Sequence, residues 1–178
     1  PTLKDFPNHI PVLVDDIDKN NKKKDLVLLD SRIICEYIDE RFPHPQLMPI
    51  EPSEKARLRM LMHHFERELF VHMRILDNSL SQKEVKPKKE LEKTKIKITQ
   101  GLDSISNLFN VDKKALFLFG NSFSLLDAAV LPLVWRLKYY DIPIKETWSG
   151  LINYAQTQFA MPEFIASLTP AERGMKIS

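Results

Sequence analysis

The chain has 178 residues, of which 43% are hydrophobic, enough for one substantial core or two modest ones. Its formal charge of +2, from 26 basic and 24 acidic residues, is too small to argue for direct nucleic-acid binding. No apolar run approaches membrane-spanning length and the first residues lack a basic-then-apolar secretory pattern, so the sequence reads as a soluble, cytoplasmic globular protein. The lone cysteine, Cys35, cannot form an internal disulfide, in keeping with a reducing compartment.

Two short apolar runs, Ile10-Pro11-Val12-Leu13-Val14-Asp15 and Leu26-Val27-Leu28-Leu29, flank a polar stretch containing Lys22, Lys23 and Lys24. The pattern predicts a β-hairpin with a solvated tip. Immediately after it, Ile33, Ile34, Tyr37 and Ile38 recur at spacings of three and four, the mark of one core-facing helix stripe. Asp30 and Ser31 precede that stripe, where a short oxygen-bearing side chain can accept from free first-turn N–H groups; the same place can serve an anion. Cys35, with no companion, reads as a small core residue. Pro43 and Pro45 disfavour helical geometry at Phe42 and His44, so Phe42-Pro43-His44-Pro45 is a stiff, extended exit at the surface.

Leu47-Met48-Pro49-Ile50-Glu51-Pro52 reads as a linker, residues 47–52, between a sheet domain at 1–46 and a helical domain at 53–178. Ser53 is placed to cap a long helix whose stripe runs Leu58, Leu61, Met62, Phe65, Leu69, Met73 and Leu76. His63, His64 and His72 on that helix do not share a face at zinc-ligand spacing, and no cysteine completes a set, so no metal site is expected. After a polar connection over Ser81–Glu90, a second stripe runs Leu91, Ile98, Leu102, Ile105 and Phe109, opposite a lysine-rich outer face.

Ser124 and Asp127 stand three apart ahead of an apolar run, a capping-box spacing with Asp where Glu is usual. The following helix is apolar almost all round and should form the buried axis of its domain, bent at Pro132. Trp148, Leu151, Ile152, Ala155 and Phe159 make a further stripe, and shorter helical pieces begin at Pro162 and Pro170.

Strand, strand, helix with a proline opening the first strand resembles the second half of the thioredoxin-like domain of glutathione transferases. The expected fold class is therefore α/β plus all-α: a partial thioredoxin-like domain followed by an α-helical bundle. That resemblance implies a cis bond at Pro11 and a glutathione-type pocket at Ile10, Pro11, Asp30 and Ser31, here read as vestigial. It also makes Ser124 and Asp127 the structural N-cap motif of the helical domain. Only Thr2–Phe6 precede Pro7–Pro11, so the expectation is that the family's first β-α-β unit, which carries its catalytic Tyr, Ser or Cys, is absent from this stretch.

Asp30-Ser-Arg-Ile-Ile34, Glu36-Tyr-Ile-Asp-Glu-Arg-Phe-Pro-His-Pro45, Leu47-Met-Pro49 and the Phe164-Ile-Ala-Ser-Leu-Thr169 tail more closely resemble the stringent starvation protein A family, bacterial glutathione-transferase-like partners of RNA polymerase. What this implies is a non-enzymatic regulator that binds RNA polymerase holoenzyme during starvation or stress, through Phe42, Pro43, His44 and Pro45. It further implies no catalytic residues, no cofactor, and a homodimer or a dimer with a related protein. On physical grounds alone, Phe-Pro-His-Pro serves a partner surface and a linker equally well. The alternative is a glutathione-binding transferase or thiol reductase using Asp30, Ser31 and Pro11.

Overall fold

The computed structural model describes residues 11–15, 26–111 and 116–175. The hairpin lysines, Ile10 and the side chain of Phe109 lie outside the described residues. The chain divides into two compact units, Pro1–Met48 and Pro49–Ser178.

In the first unit, β1 (Val12–Asp15) pairs antiparallel with β2 (Leu26–Leu29), Val12 facing Leu29 and Asp15 facing Leu26. Helix α1 (Ser31–Arg41) follows after a single residue. It is tied to β1 by the Tyr37 hydroxyl, which donates to Asp15 Oδ2, and by Arg41 Nε at 3.8 Å from the same oxygen. The expected core stripe is only partly buried. Ile34 is 8% exposed, but Ile33 is 55% and Ile38 43% exposed: the two strands among the described residues cover only part of the arc those four side chains sweep. Cys35 is likewise exposed rather than a core residue.

In the second unit, α2 (Pro52–Phe65), a π-helical turn (Glu66–Phe70) and α3 (Val71–Leu80) form one continuous rod. Its N-cap is Glu51, with Pro52 in the first turn, so Ser53 lies inside the helix instead of capping it. Proline suits that place because its fixed φ is helical and its missing N–H would have no partner there. Leu58, Met62, Phe65, Leu69 and Leu76 are buried as the spacing predicts, Leu61 and Met73 are only half-buried, and Phe70 joins the core. Adjacent Leu69 and Phe70 both reach the core where the backbone makes its wide i→i+5 turn. Helix α4 (Lys88–Val111) lies close against this turn. A Cβ on Gly101 would stand 2.8 Å from Leu69 Cδ1, so a larger residue there would oblige the Leu69 side chain to shift.

Helix α5 (Leu125–Trp135) is the buried axis, with Pro132 inside it. Leu126, Val130, Leu133 and Val134 are fully buried. A single-turn 3₁₀ segment (Glu146–Trp148) leads into α6 (Ser149–Phe159), and short helices α7 (Pro162–Ser167) and α8 (Pro170–Arg173) follow.

Asp127 organises this unit. Fully buried, its carboxylate accepts from Ser124 N–H at 2.8 Å, Ser124 Oγ at 2.5 Å, Leu118 N–H at 2.9 Å and the Tyr154 hydroxyl at 2.5 Å. One side chain thus caps α5, fixes the incoming loop and holds α6. Burial and the nearby Asp127 charge push the Tyr154 phenol far above its usual range, so it remains a donor.

Glu172 plays a smaller version of this part. Its backbone carbonyl accepts from Trp135 Nε1 at 2.8 Å, and its carboxylate pairs with Arg136 and accepts from the Thr169 N–H and hydroxyl. Burial by itself would raise this carboxyl, but the Thr169 hydrogen bonds and the Arg136 charge outweigh it and hold Glu172 below the usual range.

Replacing Asp127 with Ala strands several buried donors and is expected to cost about 3 kcal/mol or more in urea unfolding, against about 1 kcal/mol for Tyr154→Phe. Because the folded-state pKa of Glu172 is depressed, its contribution is present above the unfolded carboxyl value and is lost as pH falls through the lower, folded one. Unfolding free energies followed from about pH 7 to about pH 3 should fall less steeply for Glu172→Gln than for the wild type.

Candidate functional site

The sequence-predicted residues occupy the two ends of α1. At its N-terminus, the Val12–Leu29 pairing places Pro11 and Asp30 one position further out on neighbouring strands. Asp30 has φ +71° and ψ 123°, a positive-φ conformation outside the left-handed helical region that aspartate commonly adopts. Its Oδ1 accepts from the Arg32 N–H at 2.9 Å and lies 3.7 Å from Arg32 Nε. Asp30 therefore caps the helix itself. Ser31, Pro11 and Asp30 are all exposed, and the Ser31 hydroxyl has no hydrogen-bond partner among the described residues. This end can present a hydroxyl and first-turn N–H groups to an anion.

At the other end, Phe42, Pro43, His44 and Pro45 are all exposed, Phe42 at 68%. The Phe42 N–H donates to Ile38 O at 2.9 Å, closing the helix, and the His44 N–H donates to Phe42 O at 2.8 Å. The His44–Pro45 peptide is cis. Sequence reasoning missed the residue that shapes this ridge, Asp39. It is 4% exposed, and its two oxygens accept from the Leu47 N–H at 2.6 Å and the Met48 N–H at 3.0 Å. Both ends of the Phe42–Gln46 excursion are thereby fastened to the last turns of α1. Leu47 and Met48 consequently belong with the first unit, and the chain leaves it at Pro49. The available signal was an aspartate in a helix's last turn, where the dipole disfavours an anion unless it has specific donors.

With 11 residues in α1, the two ends stand about 16 Å apart. The ridge and the anion-facing end are thus separate places and do not form one site. Cys35, between them on the helix, has its thiol pushed up by partial burial, away from the reactive thiolate. Among the described residues, no three His, Cys, Asp or Glu side chains could hold a metal ion, and no helix is long and apolar enough to cross a membrane.

A hairpin feeding an amphipathic helix, followed by a helical unit capped by a buried Ser-Asp pair, defines a glutathione-transferase-like fold. Solved structures agree on the fold. The ternary complex of BphK, a bacterial glutathione transferase, matches 96% of this chain and 78% of its own with TM-score 0.75 at 18% identity. A maleylacetoacetate isomerase from Anaeromyxobacter dehalogenans, solved with bound dicarboxyethyl glutathione, matches 96% and 77% with TM-score 0.72 at 22% identity. No protein-family model matches the chain. Stringent starvation protein A homologs are 32% identical over 94% of this chain and 72% of the relative in Coxiella burnetii, and 32% identical over 91% and 68% in Haemophilus influenzae. A rat glutathione S-transferase omega-1 is 31% identical over 65% of this chain and 45% of its own. The chain belongs to the stringent starvation protein A family.

Asp39→Ala should leave the Leu47 and Met48 amides without acceptors, costing about 2 kcal/mol. Hydrogen exchange at those two amides is expected to accelerate well ahead of exchange in α5.

Proposed function

We propose that this protein is a non-enzymatic regulator that binds RNA polymerase holoenzyme in the starved or stressed bacterial cytoplasm, using Phe42, Pro43, His44 and Pro45 as its contact surface. The observation that carries this reading is the Asp39-fastened ridge, which presents an exposed aromatic ring, two prolines and an imidazole. Segments held in this way lose little conformational freedom on docking, so more of their contact energy survives as affinity. The aromatic and proline rings supply apolar contact area, and His44 can donate a hydrogen bond. Family membership supports polymerase as the partner. Promoter choice then lies with the polymerase, in keeping with a formal charge of only +2 on this chain. Pairing as a homodimer, or with a related protein, fits the two-fold assemblies common among small soluble proteins.

A second reading is glutathione binding at Pro11, Asp30 and Ser31, as a transferase or thiol reductase. It is favoured by the uncommitted Ser31 hydroxyl at the start of α1. These groups bind and orient but do not activate a thiol, and Cys35 is not poised to attack because its thiol is pushed up. The ridge reading therefore ranks first, with no cofactor required.

The test is capture of purified RNA polymerase holoenzyme by the immobilised protein. Replacing Phe42, Pro43 and His44 together with Ala should weaken capture at least about tenfold, the loss expected when an anchoring cluster of more than about 1.4 kcal/mol is removed. Thermal unfolding should hardly change, since all three side chains are exposed. Undiminished capture by the triple variant would refute the assigned surface. Glutathione conjugation to an electrophile, abolished by Ser31→Ala, would replace it with the second reading.

A further inference from the structure

The helical unit contains a cavity of about 510 Å³, lined chiefly by Trp135, Ile152, Phe159, Ile165, Leu168 and Arg173. It lies between the end of α5, one face of α6 and the α7–α8 segment, wholly inside one unit. Its volume falls in the range of pockets that enclose small organic ligands, about 300 to 1,000 Å³. The ridge and the α1 N-terminus contribute nothing to it.

Its walls are preformed. Trp135 meets Phe159 edge-on at 4.9 Å between centroids and Phe164 at 5.3 Å, and Phe159 lies 4.8 Å from Phe164. The indole is further held by its N–H bond to Glu172 O. Ile165 nevertheless remains 50% exposed, so apolar surface at the cavity mouth faces water.

The charges around the cavity are unequal. Arg136 is neutralised by Glu172, and Glu172 is also occupied by Thr169. Arg173, which lines the cavity, is exposed and has no ion-pair partner among the described residues. Among the described residues, no carboxylate contributes to the lining. An apolar, aromatic-walled space with one uncompensated guanidinium suits a molecule with a hydrophobic body and a single anionic head, the guanidinium fork matching a carboxylate with two parallel hydrogen bonds.

We propose that the cavity bounded by Trp135, Phe159, Ile165 and Arg173 binds an amphipathic carboxylate, its apolar body against the aromatic wall and its carboxylate on Arg173. No residue of α1 lines this site, and the proposal does not depend on which partner or ligand the ends of α1 take.

The test is titration calorimetry of the full chain with decanoate, 2-naphthoate and decanol, alongside the emission of Trp135. Trp148, the other tryptophan, is completely buried against Asp103, so a ligand in this cavity should perturb Trp135 selectively. At least one carboxylate should bind with a change in emission, and decanol should bind more weakly. Which of the two binds distinguishes a flexible chain from a flat ring. Arg173→Gln should weaken the carboxylate about tenfold or more, the range for losing a hydrogen-bonded charge, and leave decanol unchanged. Ala160→Trp, which fills the mouth from an exposed position, should abolish binding while unfolding at the wild-type temperature. Absence of carboxylate binding to the wild type overturns the proposal, as does equal binding of decanol and decanoate. Concentration-dependent self-association without probe binding, abolished by Ile165→Glu, also overturns it and makes a second copy the occupant.

Discussion

Two buried carboxylates hold the parts of this protein on which everything else is mounted. Among the described residues, Asp39 and Asp127 are the only carboxylates in the buried class, and each accepts from backbone N–H groups of an adjoining loop. A buried anion is costly unless its oxygens are satisfied, and a buried N–H is costly for the same reason. Bringing the two together removes both penalties. No buried side-chain nitrogen or oxygen is left without a partner among the described residues. Loop geometry in both units therefore depends on a side chain of a neighbouring helix as well as on the loop's own sequence.

This explains how a short irregular segment can present a defined surface. Phe42–Pro45 carries no buried apolar anchor of its own, and all four residues face water. Its shape comes from the two prolines within it and from the Asp39 clamp just beyond it. The N-terminal end of α1 is built differently: Asp30 spends its carboxylate on capping the helix, leaving the Ser31 hydroxyl as the available polar group. One end of α1 thus exposes an aromatic ring, an imidazole and two prolines, and the other exposes a hydroxyl. Their separation by the length of the helix makes the two properties physically independent.

The departures from sequence expectation share one cause, which is that periodicity specifies a face but not what covers it. Ile33 and Ile38 have the spacing of core residues, yet only Ile34 in that stripe falls in the buried class. Cys35, which is not part of that stripe, lies at the surface. In the second unit the stripe from Leu58 to Leu76 was largely legible, but the π turn at Glu66–Phe70, which packs against α4, has no signal in the apolar spacing. The helix begins at Pro52, whose fixed φ suits the first helical position, with Glu51 as N-cap, so Ser53 falls inside it.

By itself, the sequence determined the order of elements, the exit from α1 at Phe42-Pro43, and the cap pairing of Ser124 with Asp127. These are local properties: a proline ring fixes its own φ, and residues three apart on a helix are already neighbours. Only the tertiary structure decided that Asp39 would clamp Leu47 and Met48, that Asp127 would also reach Leu118 and Tyr154, and that Arg173 would stand beside an aromatic cavity. Those contacts join elements far apart in the chain or on opposite sides of a loop. No spacing rule encodes them: the Asp39 clamp needs the loop after α1 to fold back on that helix, and the contacts of Asp127 and Arg173 exist only once the helices have packed.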